Sequence, residues 1–166
     1  MHRKVIATIR SPGPMLALRV LGATLLLFVG ANHYYEYSID DYSVLPTIGT
    51  LFLLNFISAT AVGLLLLAPL DRMLHRIGRM TLRLAALSGL GIAAASLVAL
   101  LVSEHTKLFG FMESNYRPAI IVAIASEGSA ALILLLLFIA SGGATRPVSR
   151  PRAPLADHPQ PSAGLS

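Results

Sequence analysis

The chain has no cysteine and no tryptophan among its 166 residues. Without thiols there is no disulfide, no thiol nucleophile and no cysteine-based metal site. Charge is scarce too. Only 13% of residues are Asp, Glu, Lys or Arg, where a soluble domain carries roughly a quarter. Lysine is almost absent, at 2 residues beside 11 arginines. No glycine-rich phosphate loop, G-x-S-x-G turn or H-E-x-x-H helix occurs in the chain, which removes the commonest signatures of nucleotide, hydrolase and zinc-protease chemistry.

What fills the space is hydrophobic sequence, 55% of the chain. Four apolar segments run from about Met15 to Ala31, Ile48 to Leu70, Leu82 to Val102 and Ala119 to Ala140. Each is close to the ~20 residues that cross a hydrocarbon core of ~30 Å. None has the polar face of an amphipathic soluble helix. Four such segments leave too little polar sequence to cover them in water. The pattern predicts an all-α, four-helix transmembrane bundle. Residues 1–14 read as a basic N-terminus, 15–140 as the four-span domain, and 141–166 as a tail rich in Pro, Gly, Ser and Ala. Such a tail buries too little apolar surface to offset its chain entropy and is expected to be disordered.

Orientation follows from where the basic residues fall. Arg3, Lys4, Arg10 and Arg19 lie at the start, Arg72, Arg76, Arg79 and Arg83 in the middle loop, and Arg146, Arg150 and Arg152 in the tail. Lys107 and Arg117 fall on the opposite side, so the split is 11 to 2. The positive-inside rule then places both termini in the cytoplasm of a plasma-membrane protein. A cleaved leader ending at "VGA" (29–31) is the competing reading of the first segment. Arg19 inside that segment and the charge balance of four spans argue against it. Arg19 is expected to snorkel to the headgroups, and Tyr34, Tyr35, Tyr37 and Tyr42 to anchor the outer interface.

Several polar residues interrupt the apolar segments. Asn55 lies about eight residues below Thr47 and Glu127 about nine below Pro118, or ~12 and ~14 Å deep at 1.5 Å per residue. Thr24 and Ser96 fall near the same depth on the other two segments. These four residues are expected to form an interior polar layer, the candidate binding site. A bare carboxylate at that depth costs roughly 2.5 kcal/mol or more. A neutral Glu127 would donate to the Asn55 side-chain oxygen or pair with Ser96. No catalytic residue and no cofactor are expected. His33 and His105, read as lying at the outer surface near Glu36, Asp40, Asp41 and Glu104, are the candidate metal ligands. No H-x₃-H-type spacing supports them, so no metal is expected.

The stretch "NHYYEY…LPTIGTLFLLNFISATAVGLLLL", with its I-G-x-L-F-x-L-N core at Ile48, Gly49, Leu51, Phe52, Leu54 and Asn55, is followed by "AIASEGSAALIL" in the last segment. Together they resemble small four-helix integral membrane proteins of actinobacteria, generally described as uncharacterised. The resemblance spans about residues 15–140 and implies four spans, with no activity, substrate or cofactor. Quinone-linked four-helix proteins of the DoxX type look similar in architecture, but no motif matches residue by residue. The expected role is non-enzymatic, an accessory or scaffold subunit of a membrane assembly. A small carrier or proton-linked transport component using Glu127 is the alternative, and a quinone-linked redox protein ranks below it. The expected partners are the lipid bilayer, other membrane proteins or further copies of the chain; nothing points to nucleic acid.

Overall fold

The computed structural model describes residues 11–69, 77–110, 112 and 118–142. The basic stretch 1–10, the arginine-bearing 70–76 and the expected disorder of 143–166 lie outside the described residues. Among the described residues, four α-helices carry the fold: α1 (Pro12–Ser38), α2 (Pro46–Leu67), α3 (Gly78–Ser103) and α4 (Pro118–Ser141). A short 3₁₀ turn, Tyr42–Val44, links α1 to α2. All four helices are long and apolar enough to cross a membrane. Even α2, at 22 residues, spans about 33 Å at the α-helical rise. The chain is a multi-pass membrane protein by the length and composition of its helices.

Prolines set the boundaries. Pro12, Pro46 and Pro118 open α1, α2 and α4, where the missing N–H is no loss and φ is already helical. Ala68 leaves α2 in extended backbone at φ −62° and ψ 142°. That is the conformation a residue before proline prefers, and Pro69 follows.

The first helix departs from the sequence reading. The apolar run ends at Ala31, and the tyrosine-rich stretch after it was expected as loop. Instead α1 continues to Ser38. No proline or glycine breaks residues 31–38. Leu26, Val29, His33 and Glu36 fall three or four positions apart and are all buried, so one inward stripe runs through the polar end of the helix.

In the bundle, α1 packs broadly on α2 and α4, and α4 on α3. The seam between α2 and α3 is thinner, and α1 and α3 stand diagonally opposed. Small residues bring the helices together, with Ala85, Gly89 and Ala93 buried along α3 and Ala59 and Gly63 along α2. A Cβ on Gly89 would come to 3.0 Å from both Leu134 and Leu26, so three helices converge there because that residue has no side chain. Close packing of this kind replaces the hydrophobic driving force that lipid does not supply. Leu26, Leu66, Leu134 and Leu137 are fully buried and fill one half of the bundle. Leu16, Phe28, Leu84 and Leu132 stand half or more exposed on the outside, where hydrocarbon is their solvent.

Arg19 does more than snorkel. Its guanidinium donates to the carbonyls of Leu66 and Ala68, at the C-terminal end of α2. Those carbonyls have no partner inside their own helix, and a cation there also meets the negative end of the helix dipole.

Candidate functional site

The half of the bundle not filled by leucines holds a polar cluster beside a cavity. It is built from the C-terminal ends of α1 and α3 and the N-terminal ends of α2 and α4. Extending α1 to Ser38 brings His33 into the interior, and α4 presents Glu127 to it. His33 is 8% exposed and Glu127 is 1% exposed.

Ser96 of α3 joins the two. Its Oγ lies 2.8 Å from Glu127 Oε1 and 2.9 Å from His33 Nε2. His33 Nε2 itself is 3.6 Å from Glu127 Oε1. The other ring nitrogen, Nδ1, lies 2.9 Å from the Val29 carbonyl. A carbonyl can only accept, so Nδ1 carries a proton. That fixes the chemistry of the row. In one arrangement Nε2–H of an imidazolium donates to Ser96, and Ser96 donates to the Glu127 carboxylate. In the other, the Glu127 carboxyl donates to Ser96, and Ser96 donates to a neutral Nε2. The two differ by the transfer of one proton through the serine hydroxyl, with no heavy atom displaced. If the pair holds one proton fewer, the single Ser96 proton cannot serve both neighbours.

The cavity is about 420 Å³. Liquid water takes about 30 Å³ per molecule, so this space exceeds what a bridging water or two would fill. It falls within the range of small-molecule sites. His33, Ser96, Asn55 and Glu127 line its polar side. The Phe52 ring sits 5.2 Å from the His33 ring and 4.9 Å from the Tyr42 ring, centroid to centroid. Leu51 and Leu54 of α2 and Ala95 of α3 line the cavity and are exposed. The seam between these two helices is the thinnest between neighbouring helices of the bundle. Among the described residues, two of those lining the cavity keep a buried acceptor with no hydrogen-bond partner, Asn55 Oδ1 and Glu127 Oε2. Each such atom costs about 1–3 kcal/mol when left unmade.

Of the four residues expected to share a layer, the structure joins two and sets a third beside the same cavity. Ser96 and Glu127 are bonded, and Asn55 lines the same cavity but makes no bond to Glu127 through its side-chain oxygen. Thr24 is exposed on the outside of α1, so it is not a member. Matching by depth alone ignored the face of the helix, and the inward stripe of α1 passes through Ala23 and Leu26 instead. The place expected for Thr24 is taken by His33, which the sequence reading put at the surface because it ended the first helix too early. His105 is exposed, and its Nδ1 donates to the Leu101 carbonyl. Among the described residues no group of three or more His, Asp or Glu side chains is placed to hold a metal ion. Glu36 and Tyr42 also line the cavity, where Glu36 was expected only beside a surface metal site and Tyr42 only as an interface anchor. The three-and-four spacing Val29–His33–Glu36 was the signal for the first of them.

Comparison with models of known protein families, with curated proteins and with solved structures finds no match for this chain.

Proposed function

We propose that this protein is a small carrier or proton-linked transport component, with its binding site at the His33–Ser96–Glu127 cluster, rather than an enzyme. The observation that carries this is the pairing of a proton-shifting row with an open cavity. A scaffold subunit needs only a dry helix contact around Glu127. Here Glu127 is among the residues lining about 420 Å³ of space and keeps one buried oxygen unpartnered, and a purely structural contact would pack that space shut. Intramembrane ionisable residues facing a cavity mark substrate and proton pathways. The 11-to-2 division of basic residues supports a plasma-membrane orientation with both termini in the cytoplasm. The cavity half of the bundle then faces the outside.

The test is whether bulk protons reach Glu127. The full chain, reconstituted into liposomes, is followed by infrared difference spectroscopy as external pH is stepped. The carboxyl stretching band absent from Glu127→Gln should rise and fall reversibly with pH. A Glu127 band that stays fixed across the range would return the residue to a dry structural contact and remove the carrier reading.

A further inference from the structure

We infer that the ligand of this cavity is a lipophilic organic cation, an amine with an apolar body, which enters from the bilayer between α2 and α3 and displaces one proton from the His33–Glu127 pair. The inference rests on the carrier reading above and deepens it. Four features select this class. The unpartnered buried atoms of the lining residues, Asn55 Oδ1 and Glu127 Oε2, are both acceptors, so a ligand head that reaches them must donate. Among the described residues, the lining carries two carboxyl groups, Glu36 and Glu127, and no Lys or Arg. The chain segments at this end continue the sign, with Glu36, Asp40, Asp41, Glu104 and Glu113 against Lys107 and Arg117. Finally, the Tyr42 and Phe52 rings sit on the cavity wall, and aromatic faces attract cations once water is excluded.

The thin α2–α3 seam is the route by which such a molecule arrives. Leu51 and Leu54 of α2 and Ala95 of α3 are exposed and line the cavity, so an apolar body passing between them reaches the cavity from hydrocarbon without crossing water. The proton balance is simple. With its proton, the His33–Glu127 pair has no net charge in either arrangement. An ammonium head donating to Glu127 Oε2 takes the carboxylate arrangement and sets a second cation beside the imidazolium, so His33 gives up its Nε2 proton to solvent and one cation replaces one proton. The titratable groups facing Glu127 around the cavity are His33 and Glu36 of α1 and Tyr42 of the linking turn. The described lining residues of α2 and α3 contribute the non-titrating Asn55, Ser58, Ser96 and Ser103.

The probe series is 4-phenylbutylammonium, 4-phenylbutanol and 4-phenylbutanoate, which share one body and differ in the charge of the head. Binding to the purified full chain in detergent is measured by equilibrium dialysis and by the shift in melting temperature. The ammonium should bind saturably, at least ten times tighter than the alcohol, with no saturable binding of the carboxylate. Its affinity should rise with pH, by at most about tenfold per unit for a one-proton exchange, and Glu127→Gln should abolish both binding and its pH dependence. Phe52→Leu, close to volume-conserving, should weaken the ammonium more than the alcohol. The wild-type charge series stands even if Glu127→Gln fails to fold. Alcohol binding as tightly as ammonium, or tighter binding of the carboxylate, would overturn the cation while leaving the carrier reading intact. Saturable binding of none of the three would also overturn it, and the infrared titration would separately decide the carrier reading.

Discussion

His33 Nε2 and Glu127 Oε1 lie 3.6 Å apart inside the bundle, and both reach the hydroxyl of Ser96. The first and last helices thus meet through one serine of the third. A His–Glu contact in a low-dielectric interior is unstable unless its protons are shared, because either charge alone is expensive there. The serine supplies the sharing, and the single partnered carboxylate oxygen leaves the other for the cavity.

Ser96→Ala should break this row and leave the helices in place. The expected loss is about 1 kcal/mol, in the range of interhelical hydrogen bonds in membranes. A stability measurement alone would not distinguish packing from the row, so nitrogen NMR of the His33 ring is the deciding readout. The wild type should show both ring nitrogens engaged. Ser96→Ala should change the Nε2 signal and leave Nδ1, held by the Val29 carbonyl. Ser96→Thr, which keeps the hydroxyl, should restore it.

At Glu127 two substitutions separate shape from chemistry. Glu127→Gln retains size and hydrogen bonding, so it should cost under ~1 kcal/mol of stability while removing proton exchange. Glu127→Leu takes from Ser96 its carboxyl partner and from His33 its counter-charge and should cost more, about 1–3 kcal/mol. Equal melting temperatures for the two variants would show that the row contributes nothing to folding.

The four spans were legible because apolar length is a strong signal, and the prolines at 12, 46, 69 and 118 punctuated it. Ser96 and Glu127 were legible because polar residues in apolar runs stand out. The rest depended on where one helix ends. Ending α1 at the last apolar residue put His33 at the surface and left Thr24 to fill the layer. Hydrophobicity reports solvent, whereas burial on α1 follows the three-and-four spacing of Leu26, Val29, His33 and Glu36 through a polar stretch. The cavity itself was not readable, since it arises from the thin α2–α3 seam and no single segment encodes that.

The orientation argued from the arginines is checked with single cysteines, and the native chain has none to remove. Ser43, exposed in the turn between α1 and α2, should react with an impermeant thiol reagent on intact cells when changed to Cys. Ser149→Cys should react only after the cells are permeabilised. Labelling of Ser149→Cys from outside would reverse the topology and place the cavity half on the cytoplasmic side.

Arg19→Ala should fray the end of α2. The carbonyls of Leu66 and Ala68 lose their guanidinium donor, and the helix dipole loses a cation worth typically 0.3–1 kcal/mol. Hydrogen exchange should quicken over the last turn, Leu64 to Ala68, and stay unchanged near Asn55. Arg19→Lys should protect only partly, because an ammonium does not reproduce the fork that reaches both carbonyls.

The cavity's wall near the α1–α2 link depends on Gly49. A Cβ there would fall 2.6 Å from the Tyr42 carbonyl and 3.1 Å from Ser43 Cα. Both are backbone atoms, so neither can swing aside as a side chain would. Gly49→Ala must push the turn Tyr42–Val44 away from α2, moving the Tyr42 ring off Phe52, which it meets at 4.9 Å. The expected cost is about 1–3 kcal/mol, as for overpacking in a filled interior. Gly91, in contrast, has nothing within 4 Å of where its Cβ would stand. Gly91→Ala should therefore stabilise α3 by roughly 0.5–1 kcal/mol through the lower conformational freedom of alanine. Melting temperatures of the two variants should move in opposite directions from the wild type. Tyrosine fluorescence should change only in Gly49→Ala. If Gly49→Ala melts with the wild type and keeps its tyrosine signal, the turn does not rest on α2 as described, and Tyr42 has no fixed place on the cavity wall.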